Sequence, residues 1–173
     1  ITTGGGGALL TNNPELASRA KHLSTTAKLP HSWEFNHDDV AWNDRMPNIN
    51  AALGCAQLEL LSKRLSKKRV LFSQYEQSVN NHPYFQMVQA LPDAQSNYWL
   101  ISLRLNDDPD ADLLSRRDQL LRDAHDHGYL LRPVWTPLHL LPMYQACPSG
   151  ALTAVMDEYP RLISLPSSPQ LVP

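Results

Sequence analysis

The chain opens with Ile1-Thr2-Thr3-Gly4-Gly5-Gly6-Gly7-Ala8-Leu9-Leu10-Thr11-Asn12, in which β-branched and apolar residues flank four consecutive glycines. β-Branched residues favour strands, and glycine lets the backbone approach a neighbouring group closely because it has no Cβ. The segment therefore predicts a strand over residues 1–11 that lies close to another part of the fold. Since no turn precedes this segment, we expect a strand of a larger sheet, in the C-terminal half of a larger protein.

The composition is that of a globular protein. Of 173 residues, 42% are hydrophobic and 18% are charged. A formal net charge of −2 gives no electrostatic reason to expect nucleic acid or an anionic membrane as a partner. No apolar run approaches the roughly 20 residues that span a bilayer. The two cysteines follow no zinc or disulfide pattern, and no secretory segment is evident, so we expect a cytoplasmic protein without a metal site.

Periodicity and turn signals divide the chain into three predicted parts. Residues 1–50 hold the opening strand, a helix that begins at Asn13-Pro14-Glu15, and an irregular, aromatic-rich segment over 24–46. Residues 51–82 belong to one long helix, predicted from Pro47 to Val79 by its 3.6-residue period. Residues 83–173 form a small α+β domain, with an acidic helix cap at Asp107-Asp108-Pro109-Asp110. Its predicted strands are 85–89, 97–105 and 129–134, and its predicted helices are 111–127 and 151–159.

The strand predicted over 97–105 alternates two sets of side chains. Its apolar face comprises Trp99, Ile101, Leu103 and Leu105, and its other face comprises Tyr98, Ser102 and Arg104.

Two segments hold basic or amide side chains that suggest an anion site. Asn43 and Arg45 come just before the helix that starts at Pro47, and free N–H groups at a helix N-terminus attract phosphate. The alternative, a capping Asn43 and a surface Arg45, stays open. Arg132 lies in an otherwise apolar strand, where a buried arginine needs a carboxylate or phosphate partner. A structural salt bridge is as good an explanation of Arg132 as a ligand contact.

A third polar segment is acidic, and the glycine run has no catalytic signature. His37, Asp38 and Asp39 suggest a metal module, but neither a His-x₃-His spacing nor a cysteine pair supports one. The glycine run matches neither a phosphate loop nor a dinucleotide fingerprint. We therefore expect no metal ligands among these residues.

Three stretches together carry a family resemblance that covers essentially the whole chain. They are Ile1–Thr11, His37–Leu61 with its Ala41-Trp42-Asn43-Asp44-Arg45-Met46 core, and Gly128–Tyr144, which contains Arg132-Pro133-Val134-Trp135-Thr136-Pro137-Leu138-His139. In this combination the sequence resembles the DegT/DnrJ/EryC1/StrS sugar aminotransferases. The segment Leu23–His31 is similar to the LegC-type branch, which is associated with nonulosonic acid and related surface sugars.

The resemblance implies a fold class and an assembly. The fold class is α/β, the C-terminal part of a type I PLP-dependent transferase fold: the end of the large domain, a long connecting helix and a small α+β C-terminal domain. Members of this family work as homodimers, so we expect a second copy of the protein as partner.

The resemblance also implies an activity that the chain alone does not complete. The expected reaction is PLP-dependent transamination of a nucleotide-linked keto-sugar, with glutamate as donor, in bacterial surface polysaccharide biosynthesis. In the family, the Schiff-base lysine stands immediately before the glycine motif, and hence before Ile1; neither Lys21 nor Lys28 matches it. We therefore expect no catalytic residue within the chain, no PLP bound by the chain alone, and no activity. The alternative is a folded fragment or dimerisation scaffold without cofactor.

Four site residues carry over by motif position. Asn43 matches the family asparagine that reaches the cofactor phosphate of the neighbouring subunit, and Arg45 matches an arginine near the anionic part of the substrate. Arg132 and Trp135 match a small-domain segment that faces the substrate. The family pattern Gly-Tyr-Asn-Tyr-Arg-Met is changed here at Ala41 and Asp44. We expect alanine to strain a backbone that needs positive φ, and aspartate to weaken phosphate binding.

Overall fold

The computed structural model describes residues 1–107 and 112–173, which form two compact units. We call Ile1–Ser62 the N-terminal unit and Lys63–Pro173 the C-terminal unit. The predicted cap at Asp107-Asp108-Pro109-Asp110 falls mostly outside the described residues, and so does the start of the helix predicted from residue 111.

The N-terminal unit contains two helices joined by irregular chain. Helix α1 spans Pro14–Ser24 and begins as predicted: Asn13 is the N-cap, and its Oδ1 accepts a hydrogen bond of 2.9 Å from Glu15 N. Helix α2 spans Asn48–Glu59. Between them, residues 25–46 form no regular element beyond two isolated bridges, as the absence of a period predicted.

The prediction of a strand over residues 1–11 is wrong. This segment is irregular and almost entirely exposed, and Gly4, Gly5 and Gly6 have φ angles of 80°, 154° and 116°. A β-strand needs negative φ at every position, so the glycines interrupt the extended backbone that the β-branched residues favour.

The prediction of one helix from Pro47 to Val79 is also wrong in one respect. The helix is interrupted at Leu60, whose φ and ψ are −93° and −3°, and α3 then spans Leu61–Val79. Neither proline nor glycine marks this break in the sequence. The apolar period continues through it, so periodicity alone predicts a continuous helix.

The C-terminal unit is built on a four-stranded antiparallel sheet of order β1-β2-β4-β3. Its strands are β1 (Phe85–Met87), β2 (Ile101–Leu105), β3 (Arg132–Pro133) and β4 (Leu162–Leu165). The predicted order of two strands, a helix and a further strand is confirmed. The central strand β4 was not predicted, because its Ser164 and the following Leu165-Pro166-Ser167 resemble loop sequence.

The core of this unit lies between α3 and one face of the sheet. Leu71 and Phe72 of α3 pack with Met87, Ile101 and Leu103, and Val172 near the chain end closes the cluster. Tyr75 Oη donates to Pro166 O at 3.0 Å and Lys67 Nζ donates to Val172 O at 2.8 Å, so α3 also holds the C-terminal segment. Each fully buried Leu or Ile contributes about 1.5–3 kcal/mol, so this face stabilises the unit.

Two arginines fix the positions of the two remaining helices of this unit. Helix α4 spans Leu113–Asp126 and α5 spans Thr153–Glu158. Arg117 of α4 is buried, and its guanidinium lies over the Tyr159 ring and bonds to Asp118. Arg104 of β2 makes two hydrogen bonds of 2.7 Å to Glu158, which hold the pKa of that carboxyl below its usual range.

The predicted strand over 97–105 is shorter than expected, and its face assignment is wrong at the start. Tyr98 has φ of 49°, which breaks the two-residue alternation before Ile101. As a result the Tyr98 ring packs against Phe72, with 4.6 Å between ring centroids and an inclination of 31°, while Trp99 is 67% exposed. From Ile101 onward the alternation follows the prediction, with Ile101, Leu103 and Leu105 buried.

Candidate functional site

The segment that carries Asn43 is fixed by its backbone. Three hydrogen bonds of 2.9–3.0 Å tie it to the end of α1 and the turn that follows: Trp42 N to Leu23 O, Thr26 N to Trp42 O, and Asp44 N to Ser24 O. Asn43 also forms an antiparallel bridge with Thr25. The backbone position of Asn43 is therefore set from both sides.

Asn43 lies in a short extended stretch next to an acidic residue. Trp42 and Asp44 both bond to the same adjacent segment, which is the alternation of an extended strand. Asp44 is exposed. The expectation that Asp44 weakens phosphate binding at Asn43 stays a prediction.

The side chains of Asn43 and Arg45 are both exposed. Neither has a hydrogen bond or an ion pair with any residue in the described part of the chain. Ala41 does not have a positive φ, so its replacement of the family glycine causes no left-handed strain. The donors that an anion would need are free at this segment.

A strained turn supports the Asn43 segment. Thr26 and Ala27 have φ angles of 68° and 48°, and Ala27 is completely buried. Non-glycine residues in this region cost about 1–2 kcal/mol each, and such strain persists only where the surroundings impose it. Here Ala27 N donates to His22 O at 2.8 Å and Thr26 N holds Trp42, so the turn is used to position the segment.

The glycine run lies against the start of α2. Asn50 Nδ2 donates to Thr3 O at 2.6 Å, and a Cβ on Gly6 would stand 2.5 Å from Met46 Cε. A Cβ on Gly4 would meet Asn50 Nδ2 at 3.4 Å. The predicted close approach of the glycine backbone is confirmed, although the segment is not a strand.

The acidic segment contacts α1 and the turn that follows it. His37 Nδ1 lies 2.7 Å from Thr26 O, and Asp38 Oδ1 lies 2.6 Å from His22 Nε2. Asp39 is paired with Arg19, and the hydrogen bond from that guanidinium lowers the pKa of the Asp39 carboxyl. In the described residues, no three His, Cys, Asp or Glu side chains come together as a metal site would require.

Arg132 and Trp135 lie in the C-terminal unit, where they line one cleft. This cleft has a volume of about 110 Å³ and is lined by Trp99, Leu100, Arg132, Pro133, Trp135 and Ser164. The indole rings of Trp99 and Trp135 are 6.0 Å apart between centroids and inclined by 35°. The structure therefore brings these two of the four predicted residues together, while Asn43 and Arg45 lie in the other unit.

The expectation that Arg132 is buried is wrong. The strand predicted over 129–134 is reduced to Arg132–Pro133 at the edge of the sheet, and both residues are exposed. An edge position leaves the guanidinium in solvent. Arg132 has no ion-pair or hydrogen-bond partner among the described residues, so the salt-bridge alternative is not realised there.

Sequence reasoning missed Trp99 as a site residue. Its spacing from Ile101 and Leu103 placed it on the buried face, and only the left-handed Tyr98 turns it outward. The preceding Ser96-Asn97 pair is a turn signal, and both side chains accept backbone N–H groups, of Tyr98 and Trp99 respectively. That signal could have ended the predicted strand earlier.

A larger apolar cavity in the same unit contains none of the predicted residues. Its volume is about 440 Å³, and it is formed by the irregular chain around Leu138, Tyr144 and Cys147 together with Val155 of α5. Among the described residues, no helix combines the length and apolar composition needed to cross a bilayer.

Comparison with known proteins relates the whole chain to one family. The sequence profile of the DegT/DnrJ/EryC1/StrS aminotransferase family matches residues 1–173. EpsN of Bacillus subtilis, provisionally named a pyridoxal phosphate-dependent aminotransferase, is 33% identical over 83% of this chain and 35% of its own length. The GDP-perosamine synthase of Escherichia coli O157:H7 is also 33% identical, over 83% of this chain and 37% of its own length. The chain thus spans little more than a third of either relative.

Solved structures show the same fold. Helicobacter pylori PseC, an aminotransferase involved in the biosynthesis of pseudoaminic acid, superposes with a TM-score of 0.81 at 23% identity. The match covers 93% of this chain and 43% of that one. The predicted fold class is confirmed: the chain has the fold of part of a type I PLP-dependent transferase.

Proposed function

The chain belongs to the DegT/DnrJ/EryC1/StrS aminotransferase family, and we propose that it is the C-terminal part of a PLP-dependent enzyme that aminates a nucleotide-linked keto-sugar. The proposed donor is glutamate, and the proposed setting is bacterial surface polysaccharide biosynthesis in the cytoplasm. The names of the two relatives support the cofactor and a nucleotide-linked product. PLP supplies the electron sink that lets an amino group move between two carbon skeletons.

The observation that carries this proposal is the free Asn43 amide on a fixed backbone. An amide group whose backbone is held by three hydrogen bonds loses little further freedom when it binds. Its NH₂ group can donate to a phosphate oxygen. We assign Asn43 to the phosphate of PLP bound in the neighbouring subunit.

Arg45, Arg132 and Trp135 are the proposed substrate contacts. The Arg45 guanidinium is free and exposed, as a contact to the anionic part of a sugar nucleotide requires. Arg132 adds a second free guanidinium, and Trp135 offers an exposed apolar ring beside it.

A homodimer is part of this proposal. Within residues 1–62, all of which the structure describes, only Ala27 is buried. Large side chains such as Leu10, at 93% exposure, and Ile49, at 84%, face solvent in this unit. A unit with so little core gains stability by covering apolar surface, and a second copy is the occupant that the family implies.

The isolated chain is proposed to be inactive. In the family, the lysine that binds PLP covalently stands immediately before the motif that contains the glycine run, and this position precedes Ile1. Lys21 and Lys28 do not match it. Free PLP also forms reducible imines with exposed lysines, so the position of the label is the readout. Borohydride treatment of residues 1–173 mixed with PLP is therefore expected to label no single lysine stoichiometrically, as measured by peptide mapping. One reduced pyridoxyl group per chain at a single lysine would contradict this.

The activity itself is tested on the natural protein that contains residues 1–173. It is supplied with PLP, glutamate and UDP-, GDP- or dTDP-linked keto-sugars, and 2-oxoglutarate is measured. We expect one 2-oxoglutarate for each amino sugar formed, with none when either the keto-sugar or glutamate is left out. Failure to aminate any of these sugars, with PLP bound, would overturn the proposed function.

A further inference from the structure

Two histidines and an aspartate surround the left-handed turn at Thr26 and Ala27. His37 Nδ1 lies 2.7 Å from Thr26 O, and His22 Nε2 lies 2.6 Å from Asp38 Oδ1. The backbone N–H of Asp38 also donates to Ala27 O at 3.2 Å. The proposed function gives none of these three side chains a role.

Thr26 connects this cluster to the phosphate contact. Its N–H donates to Trp42 O at 2.9 Å, and Trp42 is the residue directly before Asn43. Its carbonyl oxygen accepts from His37 on the other side. These two groups belong to the two peptide planes that flank the Thr26 Cα, so fixing both planes fixes the φ and ψ of Thr26. His37 therefore helps to hold the backbone from which Asn43 takes its position.

The contact between His22 and Asp38 acts on Ala27 in the same way. Ala27 N donates to His22 O at 2.8 Å, and Ala27 O accepts from Asp38 N at 3.2 Å. Both peptide planes of Ala27 are thus held, one by each residue. The bond between the His22 ring and the Asp38 carboxylate then links the two residues that hold them.

The turn needs this support because its conformation is unfavourable. Thr26 and Ala27 have φ angles of 68° and 48°, a region that residues with a Cβ rarely occupy. Strain of this kind persists only where the surrounding contacts impose it. Ala27 is the only buried residue within residues 1–62, all of which the structure describes. Since there is so little core, hydrogen bonds are what impose the turn within this unit.

The acceptors define which ring nitrogen of each histidine carries hydrogen. A carbonyl or carboxylate oxygen accepts, so His37 donates through Nδ1 and His22 donates through Nε2. Nδ1 is bonded directly to Cγ, as is the amide nitrogen of asparagine. Nε2 lies one atom further along, as does the amide nitrogen of glutamine. Asparagine is therefore the conservative replacement for His37, and glutamine is the one for His22.

We propose that the cluster of His22, His37 and Asp38 positions the contact to the cofactor phosphate. The three side chains hold the Thr26–Ala27 turn, and the turn holds the Asn43 amide in place for the phosphate of PLP. An amide that is already in place loses less freedom on binding, so a looser turn means a weaker contact. The inference rests on the proposed function, because it takes Asn43 as the phosphate contact.

The first test is amide hydrogen exchange in the natural protein that contains residues 1–173, without PLP. The N–H groups of Trp42 and Asp44 bond to the end of α1 and report on the segment. His37→Phe keeps a ring but has no donor, so protection of both amides should fall about fivefold, the effect of one lost hydrogen bond. His37→Asn should restore the protection, whereas His37→Gln should not.

The opposite pattern of rescue is expected at His22. His22→Leu should lower the same protection, and His22→Gln should restore it where His22→Asn does not. His127→Phe is the matched control, because His127 Nδ1 lies 2.7 Å from Asp123 O, a bond of the same kind in the C-terminal unit. This control should leave the Trp42 and Asp44 amides unchanged.

The second test connects the cluster to the phosphate contact through the affinity for PLP. His37→Phe should weaken PLP binding about threefold, since the Asn43 amide is then in its binding position for less of the time. In the Asn43→Ala background the same substitution should have no further effect, because no amide remains to be positioned. A general structural loss would instead weaken PLP binding in both backgrounds.

Two results would overturn the positioning role alone. They are unchanged protection of the Trp42 and Asp44 amides in His37→Phe, and an equal loss of PLP affinity with and without the Asn43 amide. Both can occur in an enzyme that still aminates its sugar, so they leave the proposed function intact. If Asn43→Ala binds PLP as tightly as the parent, the phosphate contact is refuted and the positioning role falls with it.

Discussion

Single backbone conformations determine which side chains reach solvent in this chain. The left-handed Tyr98 reverses the alternation that sequence predicts, burying one aromatic ring and exposing the next, Trp99. Thr26 and Ala27 are also left-handed, and the turn that they form holds the backbone beside Asn43. No β-branched or aromatic residue prefers this region, so neither feature could be predicted from residue type.

Gly6 offers a direct test of the glycine run. Gly6→Ala places a Cβ at φ of 116° and 2.5 Å from Met46 Cε. The methionine end can move, so backbone strain dominates, and we expect a loss of about 1–2 kcal/mol in the free energy of unfolding. Urea denaturation measures it. Gly7→Ala is the matched control, because nothing lies within 4 Å of its Cβ; equal losses for both variants would refute the account.

The Arg104–Glu158 pair predicts a pH dependence of stability. Hydrogen bonds from Arg104 lower the pKa of Glu158 in the folded state. The pair therefore stabilises fully above the pKa of an unfolded glutamate, about 4.3, and this contribution is lost as the pH falls through the lower folded value. Glu158→Gln should cost about 1 kcal/mol at neutral pH, since the pair is partly exposed.

The difference between parent and Glu158→Gln should shrink as the pH falls below 4, in thermal melts recorded across the acidic range. Asp157→Asn removes the neighbouring exposed carboxylate and serves as the control. A difference that stays constant from neutral to strongly acidic pH would contradict the assigned role of the ion pair.

Elements with local signals were predictable, and elements defined by distant contacts were not. Asn13, Pro14 and Glu15 specify the start of α1 within three residues, and the structure follows them. Strand β4 has no such signal, because its place between β2 and β3 depends on pairing with both. The break at Leu60 likewise has no local marker. The same limit explains why Asn43 was found by motif while Trp99 and Ser164 required the structure.

Lys68 tests whether α3 holds the turn that presents Trp99. Burial lowers the pKa of this lysine, and its Nζ donates to Tyr98 O. Lys68→Met keeps the apolar stem but leaves that carbonyl without its donor, so we expect about 1 kcal/mol of destabilisation in urea denaturation. The Trp99 side chain should also become more mobile, which lowers its fluorescence anisotropy. This is measured in a protein whose other tryptophans are replaced by phenylalanine. The exposed Lys63→Met should show neither effect; an unchanged Trp99 signal in Lys68→Met would rule out the anchoring role.

At the scale of the whole molecule, the two units differ in how they are stabilised. The C-terminal unit has a packed core between α3 and the sheet, whereas the N-terminal unit buries only Ala27. Residues 1–62 expose apolar side chains that a second copy would cover in the proposed homodimer.

Sedimentation of the chain tests this assembly. Ile49→Glu places a charge on an 84% exposed apolar position of α2 and should weaken self-association at least tenfold, because a buried carboxylate is costly. Leu130→Glu, at a 74% exposed position of the C-terminal unit, is the control and should leave the dimer intact. A parent chain that stays monomeric at all concentrations, or a dimer abolished by Leu130→Glu alone, would contradict the proposed surface.

The proposed function depends most on Asn43 as the phosphate contact of PLP. The decisive measurement is the affinity for PLP of the natural protein that contains residues 1–173, compared between Asn43→Ala and Asn48→Ala, an exposed asparagine at the start of α2. Loss of a hydrogen bond to a charged phosphate predicts at least a tenfold weaker affinity for Asn43→Ala and no change for Asn48→Ala. Equal affinities of parent, Asn43→Ala and Asn48→Ala would contradict the assignment.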